Sequence, residues 1–408
     1  MLLPRHGWMI ASALLLLAAA AAAAPPPLPH PAMTQYLVEL SDWIMTLDVG
    51  SNVLKGDFTP AADPTHIFIN GNFARVLFAT YKINGNETYL VEGLRWCDTL
   101  VSLQYRIQTS KGEQGGYWDT GYKTIYIADT GTAVTNLVLG YHMSKDKKQK
   151  ASFVEALGRY SRFVTGGCTT VPTLNSTTKP LGTTCPPKGK GWVHTEGANA
   201  GGLGDGYYMG GINMLPYTIS TATTGSCTFS EVTSISASAS WGIPFQQISQ
   251  GAIKWLLDSR NSSGVIPYIL HGPNGSLFPG HYIYQAITYS SESFISNALR
   301  FPGSAVAMAN QLNSTVDWMI KEQNPDGTWG VLLSGDGERS PRAVSLLQWH
   351  NSIFPSSKTT AAIASFVKYL LDPQNSAAFG VKKGILQSGF VGLVFADLLQ
   401  PWVTFSPP

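Results

Sequence analysis

Charge is what this sequence has least of: 13% of its 408 residues are Asp, Glu, Lys or Arg, and the formal net charge is +2. A nucleic-acid surface needs a basic excess gathered on one face, so that class of partner is excluded. The one basic run, Lys145 to Lys150, reads as a solvated turn. Cysteine is also scarce, and the spacing of Cys97, Cys168, Cys185 and Cys227 fits no zinc motif. Cys168 with Cys185 is the preferred disulfide, because both lie in one loop-rich stretch where a short ring restricts the unfolded chain. No spacing of His and carboxylates makes a metal site, and no glycine run carries the Gly-Lys-Ser/Thr ending of a phosphate-binding loop. No cofactor is therefore expected. Past the first two dozen residues, no stretch is long and apolar enough to span a bilayer.

What is present begins with a leader. Arg5 and His6 precede an apolar stretch from Trp8 to Ala24 that ends in small residues, and Pro25-Pro26-Pro27 follow. Residues 1–24 read as a secretory signal peptide, with an uncleaved signal anchor as the alternative, and 25–33 as a proline-rich leader. Sequons for N-glycosylation at Asn86, Asn175, Asn261, Asn274 and Asn313 agree with that route. The expected location is secreted or extracellular, or the lumen of the secretory pathway, with no stable membrane association after cleavage.

The mature chain is 44% hydrophobic by the count over the whole sequence, enough for a sizeable core. Its organising feature is a helix exit written three times: Trp255-Leu-Leu-Asp-Ser-Arg-Asn261, Trp318-Met-Ile-Lys-Glu-Gln-Asn324 and Tyr369-Leu-Leu-Asp-Pro-Gln-Asn375. Gly264 and Gly327 stand at matching places after the first two, where a turn calls for positive φ. Self-similarity of this kind marks repeated supersecondary units. Apolar residues at helical spacing predict a first helix over 34–47, then pairs at 67–82 with 87–105 and 128–143 with 149–164. A loop-rich insertion at 166–240 holds one helix near 206–219, followed by 248–260. Further pairs are 290–300 with 305–323 and 343–353 with 359–371, and the last helix, 386–399, has no successor.

Six helices carry the aromatic exit or a weaker form of it, at Trp43, Trp96, Tyr160, Trp255, Trp318 and Tyr369. If the unpaired last helix joins the unpaired first, the chain closes as an all-α (α/α)6 toroid over 34–400, with 401–408 as a tail. Turns inside hairpins are short. The connections between hairpins are long and carry glycine beside aromatics: Gly115-Gly-Tyr-Trp-Asp119, Gly191-Trp-Val-His-Thr-Glu196, Gly264-Val-Ile-Pro-Tyr268 and Gly327-Thr-Trp329. In a toroid these emerge on one face, where sites are built.

On these repeats and Gly-aromatic loops the chain resembles the six-hairpin glycosidase-like superfamily of (α/α)6 toroids, which includes glycoside hydrolases, polysaccharide lyases and sugar epimerases. The resemblance covers most of the mature chain and is architectural; no single-family catalytic signature is matched. Gln323, Gly327 and Trp329 are also similar to the QW motif of triterpene cyclases, but the aspartate-rich acid motif of those enzymes is absent. Tyr117-Trp-Asp-Thr-Gly-Tyr122 is loosely similar to part of uronyl epimerases.

The resemblance implies sugar chemistry, which needs carboxylates on facing loops: a protonated acid at the leaving oxygen and an ionised partner across the ring. Asp119 is the first candidate, because Tyr117, Trp118 and Tyr122 offer flat surfaces for sugar rings and a desolvated setting that raises a carboxyl pKa. Glu196 is the second, near Trp192 and His194 in a glycine-rich stretch that continues to Asp205, Tyr207 and Tyr208. Trp329 is a further platform. Tyr268 and His271 form the alternative pair, able to remove and return the proton alpha to a uronate carboxylate. Asp129 reads as an N-cap, Glu292 as a helix-borne extra acid, Asp326 as a local turn acceptor and His350 as a core histidine. The expected function is a secreted carbohydrate-active enzyme on an oligo- or polysaccharide, foremost a glycoside hydrolase. A uronate lyase or epimerase, and a non-catalytic glycan-binding toroid, are the alternatives.

Overall fold

A computed structural model describes residues 28–47, 67–109, 112–117, 124–125, 127–165, 198–199, 217–218, 227–233, 235, 245–258, 260–266, 269–271, 276–277, 283–329, 340–375 and 385–405. The chain is an (α/α)6 toroid built from helical hairpins. The inner helices are α2 (Ile67–Asn84), α4 (Ile127–Met143), α6 (227–233), α8 (Ile283–Arg300), α11 (Val344–Ile353) and α13 (Ile385–Leu399). Their outer partners are α3 (Glu87–Leu103), α5 (Lys147–Thr165), α7 (Phe245–Asp258), the broken pair α9 (Ala305–Gln311) and α10 (Asn313–Lys321), α12 (Ser357–Leu371), and α1 (His30–Met45).

The ring closes where the sequence predicts. The last helix α13 packs on α1, its hairpin partner from the other end of the chain, and on α2, the first inner helix. Gly392 makes room for this: a Cβ there would lie 2.7 Å from Leu40 and 3.2 Å from Val76. Polar links join the remaining inner helices. Thr228 Oγ1 donates to Gly131 O between α6 and α4, and Ser296 Oγ donates to Cys227 O between α8 and α6. Apolar residues of all six hairpins form one core.

The first two of the repeated exits have one geometry. Asn261 N–H donates to Val265 O as Asn324 N–H does to Thr328 O, and Gly264 and Gly327 N–H return to Asn261 O and Asn324 O. Both glycines take positive φ, 83° and 93°. These two exits then reach the next outer helix, an Arg260 amino group donating to Gln311 O and Gln323 Nε2 to Ala362 O, and at an earlier junction Gln104 Nε2 donates to Ala156 O. The sequence pattern is thus a clasp between successive hairpins.

Several expectations are corrected. A helix that the sequence pattern does not place lies at 227–233; it is short and rich in Ser and Thr, which favour caps and turns over helix interiors, while of the segment 206–219, where a helix is expected, only Tyr217–Thr218 is among the described residues, as a strand. The outer helix 305–323 breaks at Leu312, whose N–H is shared between Met308 O and Ala309 O. The helix expected to reach Tyr105 stops at Leu103, and β1 (Tyr105–Thr109) pairs antiparallel with β2 (Gly112–Gly116). The tail re-enters the ring, with Val403, Thr404 and Phe405 buried. Cys97 and Cys227 are buried free thiols; Cys168 and Cys185 lie outside the described residues.

Candidate functional site

Hairpins with short turns put every inner-to-outer connection at one end of the ring and every long outer-to-inner connection at the other. On that long-loop face, two small sheets tie the loops together. β3 (Thr124–Ile125) pairs antiparallel with β4 (Ala198–Asn199), Thr124 opposite Asn199 and Ile125 opposite Ala198. β5 (Tyr217–Thr218) pairs with β6 (Ile269–His271), and β6 with β7 (Ser276–Leu277).

These strands flank the expected site residues in sequence. Asp119 precedes β3, Glu196 precedes β4, Asp205 falls between β4 and β5, and Tyr268 immediately precedes β6. Asp119, Trp118, Tyr122, Trp192, His194, Glu196, Asp205, Tyr207, Tyr208 and Tyr268 themselves lie outside the described residues. The backbone of His271 is within β6, opposite Ser276. Asp129 stands inside the first turn of α4, which begins at Ile127, so it is not the N-cap.

Two expected platforms are core residues instead. Tyr117 is 2% exposed and its hydroxyl donates to Leu100 O at 2.7 Å; burial raises its pKa. Trp329 is 1% exposed, its indole N–H donates to Met319 O at 2.7 Å, and its ring meets the Phe366 ring edge-on. Glycine lets each loop run tight against the ring, and the aromatic that follows fills the gap. Neither ring is available to a sugar. Asp326 accepts from Thr328 N–H at 3.0 Å, as a turn residue should. His350 is buried, with Nε2 at 2.7 Å from Asn313 Oδ1.

Below the loop face, the ring's interior is ionic. Arg75 of α2 reaches Glu292 of α8, the inner helix diametrically across the ring, with Nη2 3.0 Å from Oε1. Arg342, in the turn before α11, holds the same carboxylate through Nε at 2.9 Å and Asp397 of α13 through Nη1 at 2.6 Å. Thr404 closes the cluster: Arg342 Nη2 donates to its hydroxyl, which donates to Asp397 Oδ2, while its N–H donates to Asp397 Oδ1. The Phe405 ring lies 5.7 Å from the Arg75 guanidinium and 5.2 Å from that of Arg342. Burial alone would raise the Glu292 pKa, but the two arginines more than offset it and hold the carboxylate ionised. Glu292 is therefore an anion, unsuited to act as a proton donor.

Arg75, Arg342, Asp397 and the tail were not foreseen. A signal existed: Arg75 interrupts Phe73-Ala-Arg-Val-Leu-Phe and Asp397 interrupts Val394-Phe-Ala-Asp-Leu-Leu, and a charge within an apolar run must find a buried partner.

No protein-family description matches the sequence, and no curated protein matches it. Solved structures do. An inactive variant of an α-1,6-mannanase from a Salegentibacter species, in complex with α-1,6-mannotriose, aligns with TM-score 0.55 at 10% identity over 90% of this chain and 99% of that one. A polysaccharide lyase aligns with TM-score 0.56 at 10% identity, covering 91% and 97%. The unsaturated glucuronyl hydrolase of a Bacillus species, responsible for degrading glycosaminoglycan, aligns with TM-score 0.54 at 13% identity, covering 91% and 97%. At these identities the likeness is one of fold: the chain has the six-hairpin toroid shared by these carbohydrate-active enzymes, over nearly its whole length.

Proposed function

We propose that this protein is a secreted glycoside hydrolase acting through two carboxylates on the long-loop face, with Asp119 and Glu196 as the pair and Asp205 beside them. The observation that carries the reading is the strand pairing. The stretch holding Asp205, Tyr207 and Tyr208 is bounded by β4, which is bonded to the strand following Asp119, and by β5, which is bonded to the strand following Tyr268. Two separate long loops are thereby tied to one insertion, the arrangement needed to bring groups distant in sequence around one substrate. The ionic interior supports it from beneath, because a rigid ring fixes where the loops begin.

The mannanase neighbour is an inactive variant in which two consecutive aspartates are replaced by asparagine. This sequence contains no two consecutive aspartates. The acid and base proposed here, Asp119 and Glu196, stand instead on different loops. The lyase and glucuronyl hydrolase neighbours keep uronate chemistry through Tyr268 and His271 as the second reading.

A panel of neutral and uronate polysaccharides, assayed for new reducing ends and for ultraviolet absorbance of unsaturated products, tests both. Hydrolysis predicts reducing ends without unsaturation, lost in Asp119→Asn and in Glu196→Gln by about 10²-fold or more. Unsaturated products that vanish in Tyr268→Phe would transfer the assignment to elimination.

A further inference from the structure

Three of the five sequons lie among the described residues, and in each the asparagine is exposed with its amide oxygen already engaged. Asn86 Oδ1 accepts from Thr88 N–H at 3.1 Å, and Asn261 Oδ1 accepts from Val265 N–H at 2.9 Å and Ser263 N–H at 3.0 Å. Asn313 Oδ1 lies 2.7 Å from Nε2 of His350. N-glycosylation takes place on Nδ2 and leaves the carbonyl oxygen as an acceptor. The bonds at all three sites are therefore compatible with a glycan, and they fix the direction in which it leaves.

Asn313 differs from the other two in what lies beside it. Val316, Asp317 and Ile320 follow it on one helical face of α10, at the three- and four-residue spacings that bring side chains together. Those three residues form one wall of a groove of about 460 Å³, within the ~300–1,000 Å³ of ordinary ligand sites. The other wall is the turn from α11 to α12, with Phe354, Pro355, Ser356, Lys358 and Thr359, and His350 itself lines the groove. An aromatic ring and a proline offer flat apolar surface, while Asp317, Lys321, Ser356 and Lys358 supply acceptors and donors. That mixture suits a pyranose, with its apolar face and ring of hydroxyls. The groove lies between the outer helix α10 and the short turn from α11 to α12.

We infer that Asn313 carries an N-linked glycan whose first sugars lie in this groove, against Phe354 and Pro355, with the Asn313 carbonyl held by His350. The inference rests on passage through the secretory pathway and is independent of the hydrolase reading. Burial favours neutral imidazole at His350, and a neutral ring must carry its proton on Nε2 to donate to Asn313. The glycan then acts as a covalent brace between an outer helix and the neighbouring hairpin.

The test is expression of the full chain in a eukaryotic secretory host, glycopeptide mass spectrometry for occupancy, and timed release of each glycan from the native protein by an endoglycosidase. Asn313 is expected to be occupied and to be released at least about tenfold more slowly than Asn86 and Asn261. Replacing the exposed groove lysines together, Lys321→Ala with Lys358→Ala, should accelerate release at Asn313 alone. Occupancy at Asn86 and Asn261 with Asn313 bare overturns the inference, as does release from Asn313 as fast as from the others. A chain bare at all three sequons overturns it together with the secretory reading, while polysaccharide cleavage by that same protein would leave the hydrolase reading intact.

Discussion

At the scale of single residues, the behaviour of the ring turns on charges without water. Glu292 balances Arg75 and shares Arg342 with Asp397, and the side chains of both arginines are essentially inaccessible. Removing the carboxylate leaves Arg75 buried beside a neutral amide, so Glu292→Gln should cost on the order of 3–5 kcal/mol in urea unfolding. The double variant Arg75→Met with Glu292→Leu should recover part of that loss, since Arg342 keeps Asp397 while the buried Glu231 loses one of the cations near it; a double variant weaker than the single would contradict the pairing. His142 at the end of α4 gives a pH signature. Burial, with Arg300, Lys150 and Lys82 nearby, lowers its pKa to about 4 from 6.5. Between those values the unfolded chain binds a proton that the folded one refuses, so stability falls as pH drops from 6.5 to 4 and then levels off. His142→Gln should flatten that limb of the urea midpoint against pH; an unchanged slope would assign the acid loss to other groups.

At the scale of elements, the exits are where sequence and structure agree best, and the reason is local. An Asn followed three residues later by Gly specifies a turn through its own backbone bonds, whatever surrounds it, so Asn261 with Gly264 and Asn324 with Gly327 were readable in advance. Trp329 and Tyr117 were misread because an aromatic beside glycine looks the same in sequence whether it faces a ligand or the next helix. Only the ring decides, by bringing Phe366 against one and Leu100 O against the other. The short helix at 227–233 was missed for a related cause: seven residues of Ser, Thr, Glu, Phe, Val and Cys carry almost no helical period, and tertiary packing makes the helix. The glycines permit a graded test. A Cβ at Gly264 would sit 2.5 Å from the Ser314–Thr315 backbone, and one at Gly327 2.6 Å from that of Ser365, whereas at Gly85 it would meet nothing. All three have positive φ. Gly85→Ala should cost about 1 kcal/mol from conformation alone, and Gly264→Ala and Gly327→Ala clearly more, because the clasp to the next outer helix must open; equal losses at all three would remove the clasp from the explanation.

At the scale of the whole molecule, six hairpins make a ring only if the two chain ends meet, and the sequence announces this through one unpaired helix at each end. What it does not announce is how the seam is sealed, since nothing in Pro401-Trp-Val-Thr-Phe405 distinguishes a latch from a trailing end. In the folded protein Trp402 takes a positive φ of 61° and turns the chain back. Val403 O then accepts from Lys82 of α2, Thr404 bridges Asp397 and Arg342, and Phe405 lies against both central arginines. The tail thus touches the first inner helix, the last, and the turn leading into the fifth, at the seam where the two ends of the chain meet. Ending the chain at Gln400 would expose the Phe405 site, worth about 1.5–3 kcal/mol of apolar burial, and would strip Asp397 of two of its hydrogen-bond donors. Because these losses fall on the seam, the truncated protein should unfold at lower urea and show faster amide exchange in α1, α2 and α13 than in α4 and α5. Uniform exchange around the ring would mean that the tail stabilises the fold without closing it. Phe405→Leu, which keeps an apolar side chain and the backbone hydrogen bonds but removes the aromatic face from the arginines, should fall between the parent and the truncation.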